Sequence, residues 1–145
     1  MAEKTEHAEK EKQMQEKYLE FQLLERQMKQ VQAHLEQIEQ QLAEMVFLQQ
    51  SLAEMKGIPA GKELFVPIGS GIFVNAALKS NQEVLVNVGS GVVVKKSFDA
   101  AVEILEKHRG ELQVVQDDRV QKMNELSGRA AGIEQELATL VEEAQ

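Results

Sequence analysis

LFVPIGSGIFVNAAL, residues 64–78, and EVLVNVGSGVVVKK, residues 83–96, decide the fold of this chain. Each holds two short runs of β-branched and aliphatic residues around a Gly-Ser-Gly tripeptide. Gly69-Ser70-Gly71 and Gly89-Ser90-Gly91 recur at a spacing of 20, flanked by Ile68/Ile72 and Val88/Val92. Short β-rich runs around a glycine turn predict β-hairpins, and the repetition predicts two hairpins of one design. Lys79-Ser80-Asn81-Gln82 links them.

Apolar side chains occupy both faces of these strands. Leu64, Val66 and Ile68 alternate on one face with Phe65 opposite; Val84, Val86 and Val88 alternate with Leu85 opposite. Ile72, Val74, Val92 and Val94 supply the return strands. A unit of about 35 residues cannot cover two apolar faces by itself. Its open edges would also invite pairing with other chains. These residues therefore predict a head that completes its core by assembling with neighbouring subunits.

The flanks read differently. Residues 8–56 contain neither Gly nor Pro. Phe21, Met28, Leu35, Leu42 and Gln49 form one series at heptad spacing, and Leu24, Val31, Ile38, Met45 and Leu52 form another. Such a repeat keeps one seam toward a partner helix. Gly57, through a left-handed cap, and Pro59, lacking a donor, are expected to end the helix. Ser97 is placed to cap the second helix, with Asp99 in its first turn. Phe98, Leu105, Leu112, Leu126, Ile133 and Leu140 repeat there, broken by Arg119. A companion series of Val102, Met123, Ala130 and Leu137 is broken by Arg109 and Gln116. The seam is thus weakest from Gly110 to Gln121. Two flanks of similar length predict an antiparallel pair with Leu52 near Val102, Phe21 near Ile133 and Met14 near Leu140. Met45-Val46-Phe47-Leu48, apolar most of the way round, is expected to pack beneath the head.

The predicted class is α+β: a long antiparallel two-helix coiled coil with a central head of two β-hairpins. Its expected organisation is a single subunit over residues 1–145, with a first helix at 8–56, a head at 62–96 and a second helix at 98–143.

Composition narrows the function. The formal charge of −8 disfavours nucleic acid, whose phosphates demand clustered Lys and Arg. The absence of cysteine removes disulfides, thiolate metal sites and thiol nucleophiles. No apolar run approaches a membrane span, and the charged start MAEKTEHAEKEK does not resemble a signal peptide, so a cytoplasmic protein is expected. His7, His34 and His108 lack ligand spacing. Gly-Ser-Gly is not followed by the Lys-Ser/Thr of a phosphate loop. No carboxylate pair sits in an apolar setting that would tune acid–base chemistry. Neither an enzyme nor a cofactor is expected.

The order helix, two hairpins, helix resembles the alpha class of the prefoldin family. Leu64-Phe65-Val66-Pro67-Ile68-Gly69-Ser70-Gly71, Val86-Asn87-Val88-Gly89-Ser90-Gly91 and Lys95-Lys96-Ser97-Phe98 carry the resemblance; the beta class has a single hairpin. The resemblance implies an ATP-independent holdase. In archaeal prefoldin, two alpha and four beta subunits join their hairpins into a double β-barrel platform bearing six coiled coils. The coiled-coil tips hold unfolded clients and pass them to a group II chaperonin. Met14, Tyr18, Leu19 and Phe21 of one helix and Leu137, Leu140 and Val141 of the other are the tip residues so implied, although Tyr18 and Phe21 also suit a plain seam. Flexible Met and broad aromatic surfaces adapt to varied partners. The alternative is a self-assembling, filament-forming protein like the gamma prefoldins; a third possibility is a coiled-coil adaptor with one dedicated ligand.

Overall fold

The computed structural model describes residues 2–144; the outermost residues of the expected 1–145 subunit lie outside them. The element order is α1 (Ala2–Lys56), β1 (Glu63–Gly69), β2 (Ile72–Ala77), β3 (Glu83–Gly89), β4 (Val92–Ser97) and α2 (Phe98–Ala144). The predicted class therefore stands: two long helices and two small antiparallel hairpins. Helix α1 begins earlier than the expected residue 8. Its opening turns are rich in Glu, Lys and Ala, which favour helix without supplying an apolar seam.

The described chain divides into two compact units, Met1–Glu39 with Gln113–Gln145, and Gln40–Leu112. The first is a two-helix coiled coil. Lys10 pairs with Glu143 and Lys17 with Glu136. A step of one heptad forward on α1 matches one heptad back on α2, which fixes the antiparallel direction. Leu24, Val31, Leu35, Leu126, Ala130 and Ile133 form its core, with Phe21, Met28, Met123 and Leu137 packed against them. Phe21 thus joins the cluster that holds Ile133. Leu126 is 1% exposed and Ile38 2%.

Every position of the two predicted α1 series is buried or half-buried, including the polar Gln49. On α2, Arg109, Gln116 and Arg119 are also half-buried, so the 3–4 spacing of inward positions runs through them without a break. They interrupt the seam chemically, not geometrically. Helix α2 likewise continues through Gly110, Gly128 and Gly132.

The second unit carries the hairpins. The register is Glu63↔Ala77 to Pro67↔Phe73 in one and Glu83↔Ser97 to Asn87↔Val93 in the other. Gly69↔Ile72 and Gly89↔Val92 close the turns, each after a register shift that leaves Ile68 and Val88 as the extra, bulged residues. Simple alternation over Leu64-Val66-Ile68 and Val84-Val86-Val88 therefore fails at its third member. The turn residues Ser70 (φ 47°) and Gly71 (φ 75°), like Ser90 (φ 51°) and Gly91 (φ 74°), are both left-handed. That pattern is the type I′ turn, whose twist suits a two-residue hairpin.

Two helix boundaries show different capping. The Ala100 N–H donates to Ser97 Oγ at 3.1 Å, so Ser97 caps α2. Gly57, expected to be left-handed, is not. The Gly57 N–H donates to the Glu54 carbonyl and the Ile58 N–H to the Met55 carbonyl, each at 3.1 Å. The last turn of α1 tightens to three-residue bonds and needs no positive φ. Lys56 Nζ then meets Asp99 Oδ1 at 2.6 Å, tying the end of α1 to the start of α2.

Packing at the seam sets two expected outcomes. Leu126→Ala should lower stability by about 2–5 kcal/mol, as for other filled core sites. A Cβ at Gly132 would meet open space, so Gly132→Ala should raise stability by about 1 kcal/mol through helix propensity. Urea unfolding followed by far-ultraviolet circular dichroism measures both.

Candidate functional site

Two regions expose apolar side chains in quantity, one in each unit. In the coiled coil, Met14, Gln15, Tyr18, Leu19, Leu137 and Val141 line an open, largely apolar groove of about 560 Å³. Helix spacing makes it: Met14 with Tyr18, Gln15 with Leu19, and Leu137 with Val141 stand one turn apart. Tyr18, Leu19 and Val141 are exposed, whereas Met14 and Leu137 are half-buried at its floor.

Five of the seven sequence-predicted tip residues thus share one groove. Phe21 and Leu140 do not line it. Phe21 belongs to the α1 seam and packs against the core cluster. Leu140, a seam position on α2, lines a separate, more polar groove beside Lys17 and Glu136. Met14 and Leu137 are seam positions like Phe21 and Leu140 but form the groove floor, whereas Tyr18, Leu19 and Val141 stand at flanking positions and remain exposed. Gln15 was not foreseen as part of the lining; its spacing of four from Leu19 is the signal for it. Leu23, one turn beyond Leu19, is also exposed.

Lys17 Nζ and Glu136 lie 2.7 Å apart, close to the groove. The hydrogen bond to Glu136, and next its charge, raise the Lys17 pKa above the ordinary lysine value. Among the described residues no group of three or more His, Asp or Glu side chains could hold a metal ion, and no helix is long and apolar enough to cross a membrane.

The hairpin unit exposes more. Phe65 is 74% and Leu85 69% accessible. Val66, Ile68, Ile72, Val74, Val88 and Val92 are exposed as well, while Leu64, Val84, Val86 and Val94 are half-buried. Phe73 and Val93, the cross-strand partners of Pro67 and Asn87, are two further exposed side chains outside the sequence-predicted set. Leu48 and Leu52 line a groove with β3, Ala101 and Leu105, so part of the apolar run on α1 does underlie a hairpin. Phe47 does not; it is 72% exposed. The apolar surface of these hairpins exceeds the isolated apolar residues normal for a monomer.

The family model described as Prefoldin subunit matches residues 24–143. The chain belongs to the prefoldin family. A curated relative, the prefoldin subunit alpha of Thermofilum pendens (strain DSM 2475 / Hrk 5), is 30% identical over 84 residues. That match covers 58% of this chain and 65% of the relative, so the chain spans less than two thirds of that relative's length. A chain in the cryo-EM structure of filamentous PFD from Methanocaldococcus jannaschii superposes with a TM-score of 0.71 at 20% identity, covering 77% of this chain and 93% of that one. At that identity the likeness concerns the fold.

The Lys17–Glu136 pair has a defined pH behaviour. A raised lysine pKa gives stabilisation that is complete below the unfolded-state value and lost as pH rises through the folded-state value. Helicity of the wild type and of Lys17→Gln should therefore respond alike to pH around neutrality. They should diverge above neutrality, where the wild type alone loses the pair as Lys17 deprotonates; circular dichroism during a base titration reads this.

Proposed function

We propose that this chain is the alpha-type subunit of a cytoplasmic, ATP-independent holdase. In that reading it binds clients and catalyses no reaction. Two copies combine with four beta-type subunits through their hairpins. The coiled-coil ends hold unfolded clients and release them to a group II chaperonin. The observation that carries the client-binding part is the groove of Met14, Tyr18, Leu19, Leu137 and Val141. It is apolar, open and built partly from flexible or broad side chains, which suits unlike partners. It lies among charged residues, including Lys17 and Glu136, that keep such a surface soluble. Several weak grooves on one particle gain by multivalency, so no single groove must bind tightly.

The head residues Leu64, Phe65, Val66, Ile68, Ile72, Val74, Val84, Val86, Val88, Val92 and Val94 supply the subunit contacts in this reading. Burying an apolar side chain there contributes roughly 25 cal/mol per Å² of area removed from water. The filamentous assembly named for one structural neighbour favours a second reading, in which the same head polymerises this chain without beta-type subunits. Negative-stain microscopy of the chain alone separates them: long filaments support the second reading, and a small oligomer that matures on adding a beta-type subunit supports the first.

Leu19→Glu combined with Val141→Glu should leave subunit assembly intact and reduce suppression of aggregation of a chemically unfolded client by on the order of tenfold, because each weakened contact is multiplied across the particle. Turbidity of the diluted client measures this. Undiminished suppression by the doubly charged variant would remove the groove from the mechanism.

A further inference from the structure

The chain has no cysteine, so its oxidisable sulfur lies in methionine. The described methionines are Met14, Met28, Met45, Met55 and Met123, each half-buried. Their surroundings differ. Met28 and Met123 pack against the core cluster that holds Leu24 and Leu126. Met14 is not among the side chains packed on that cluster. It lies instead in the groove with Tyr18, Leu19, Leu137 and Val141.

The seam around Met14 is also interrupted. In the companion series the positions before and after it hold Lys10 and Lys17. Their ammonium groups reach out to Glu143 at 3.9 Å and Glu136 at 2.7 Å. No apolar seam neighbour covers Met14 from that series, and its own side opens into the groove. The thioether therefore combines an apolar setting with a path for a small oxidant.

We propose that Met14 is a sulfoxidation site whose modification turns the groove off, with a hydroperoxide as the oxidant. The sulfur lone pair attacks the outer peroxide oxygen, the O–O bond breaks and the S–O bond forms. Sulfur gives up two electrons, and hydrogen peroxide, so reduced, leaves as water. The product is polar, and sulfoxide reductases restore the thioether. The new oxygen stands among Leu19, Leu137 and Val141, where an apolar side chain of a client would have to bury it. Burial without a hydrogen bond is unfavourable, so the contact weakens. The unliganded protein bears little of that cost. Its groove is open to water, and the Gln15 amide and Tyr18 hydroxyl, which line the same groove, are hydrogen-bond donors. Oxidation at Met14 thus penalises the bound state and spares the fold. Oxidation at Met28 or Met123 sets the oxygen against the core cluster and costs stability instead. The effect on clients rests on the reading of the groove as a client site; the order of oxidation does not.

The test uses the full-length chain assembled with a beta-type subunit and treated with graded hydrogen peroxide. Peptide mass spectrometry should show Met14 converted before Met28 and Met123, and more slowly when an unfolded client is bound. Aggregation suppression, taken relative to each particle's own untreated value, should fall on conversion of Met14 by on the order of fivefold, as for one polar group buried without a partner. Particles carrying Met14→Leu should keep their starting value over the same doses, and a sulfoxide reductase should restore the wild type. Far-ultraviolet circular dichroism should show unchanged helicity at doses that convert Met14 alone. Conversion of Met14 no faster than Met28 and Met123, or equal loss of suppression in the wild type and Met14→Leu, would overturn the proposal. The two readings fail differently. A particle that suppresses aggregation equally before and after Met14 is oxidised rejects the switch alone. An untreated particle that suppresses no aggregation rejects the client site as well.

Discussion

The constraint on which this protein depends is that two isolated hairpins cannot cover their own apolar surface. Each is a two-stranded ribbon, and the ribbons do not pair with one another. Such ribbons are marginal in water unless something packs on them. The helices cover part of that surface: Leu48, Leu52, Ala101 and Leu105 stand against β3. Phe65, Ile68, Ile72, Phe73 and Leu85 remain in solvent. Their exposure is the observation on which the proposal of an assembling head rests.

The coiled coil solves the opposite problem. Its seam is narrow, and the 3.5-residue repeat keeps it shut over many turns. That regularity confines available apolar surface to positions flanking the seam. Tyr18, Leu19 and Val141 are exposed for this reason, while Phe21 is held inside. One helix pair thus supports a closed core and an open groove without changing fold. The division is geometric, since Met, Tyr, Leu and Phe are all apolar enough to serve either role.

Much of this architecture could be read from the residues. Heptads from Phe21 to Leu52 identify the seam on α1, and Gly-Ser-Gly at a spacing of 20 identifies the hairpins. The limits have physical causes. Periodicity measured in apolar residues loses the seam at Arg109, Gln116 and Arg119, although the backbone carries it onward. The start of α1 escapes notice because Glu, Lys and Ala build helix without a pattern. Gly57 suggests a left-handed cap, but a tightened turn with Glu54 and Met55 closes the helix instead. Counting strand faces by twos fails at Ile68 and Val88, because a bulge adds one residue. Grouping tip residues by sequence neighbourhood admits Phe21 and Leu140, which do not line the groove.

The central claim is that other subunits bury the hairpin surface. Native mass measurement of the wild type beside Val86→Asp, each purified with a beta-type subunit, tests it most directly. A multi-subunit particle for the wild type that falls to single chains in the variant is the expected result. A wild-type chain that stays monomeric, or a variant that assembles as fully as the wild type, would contradict it.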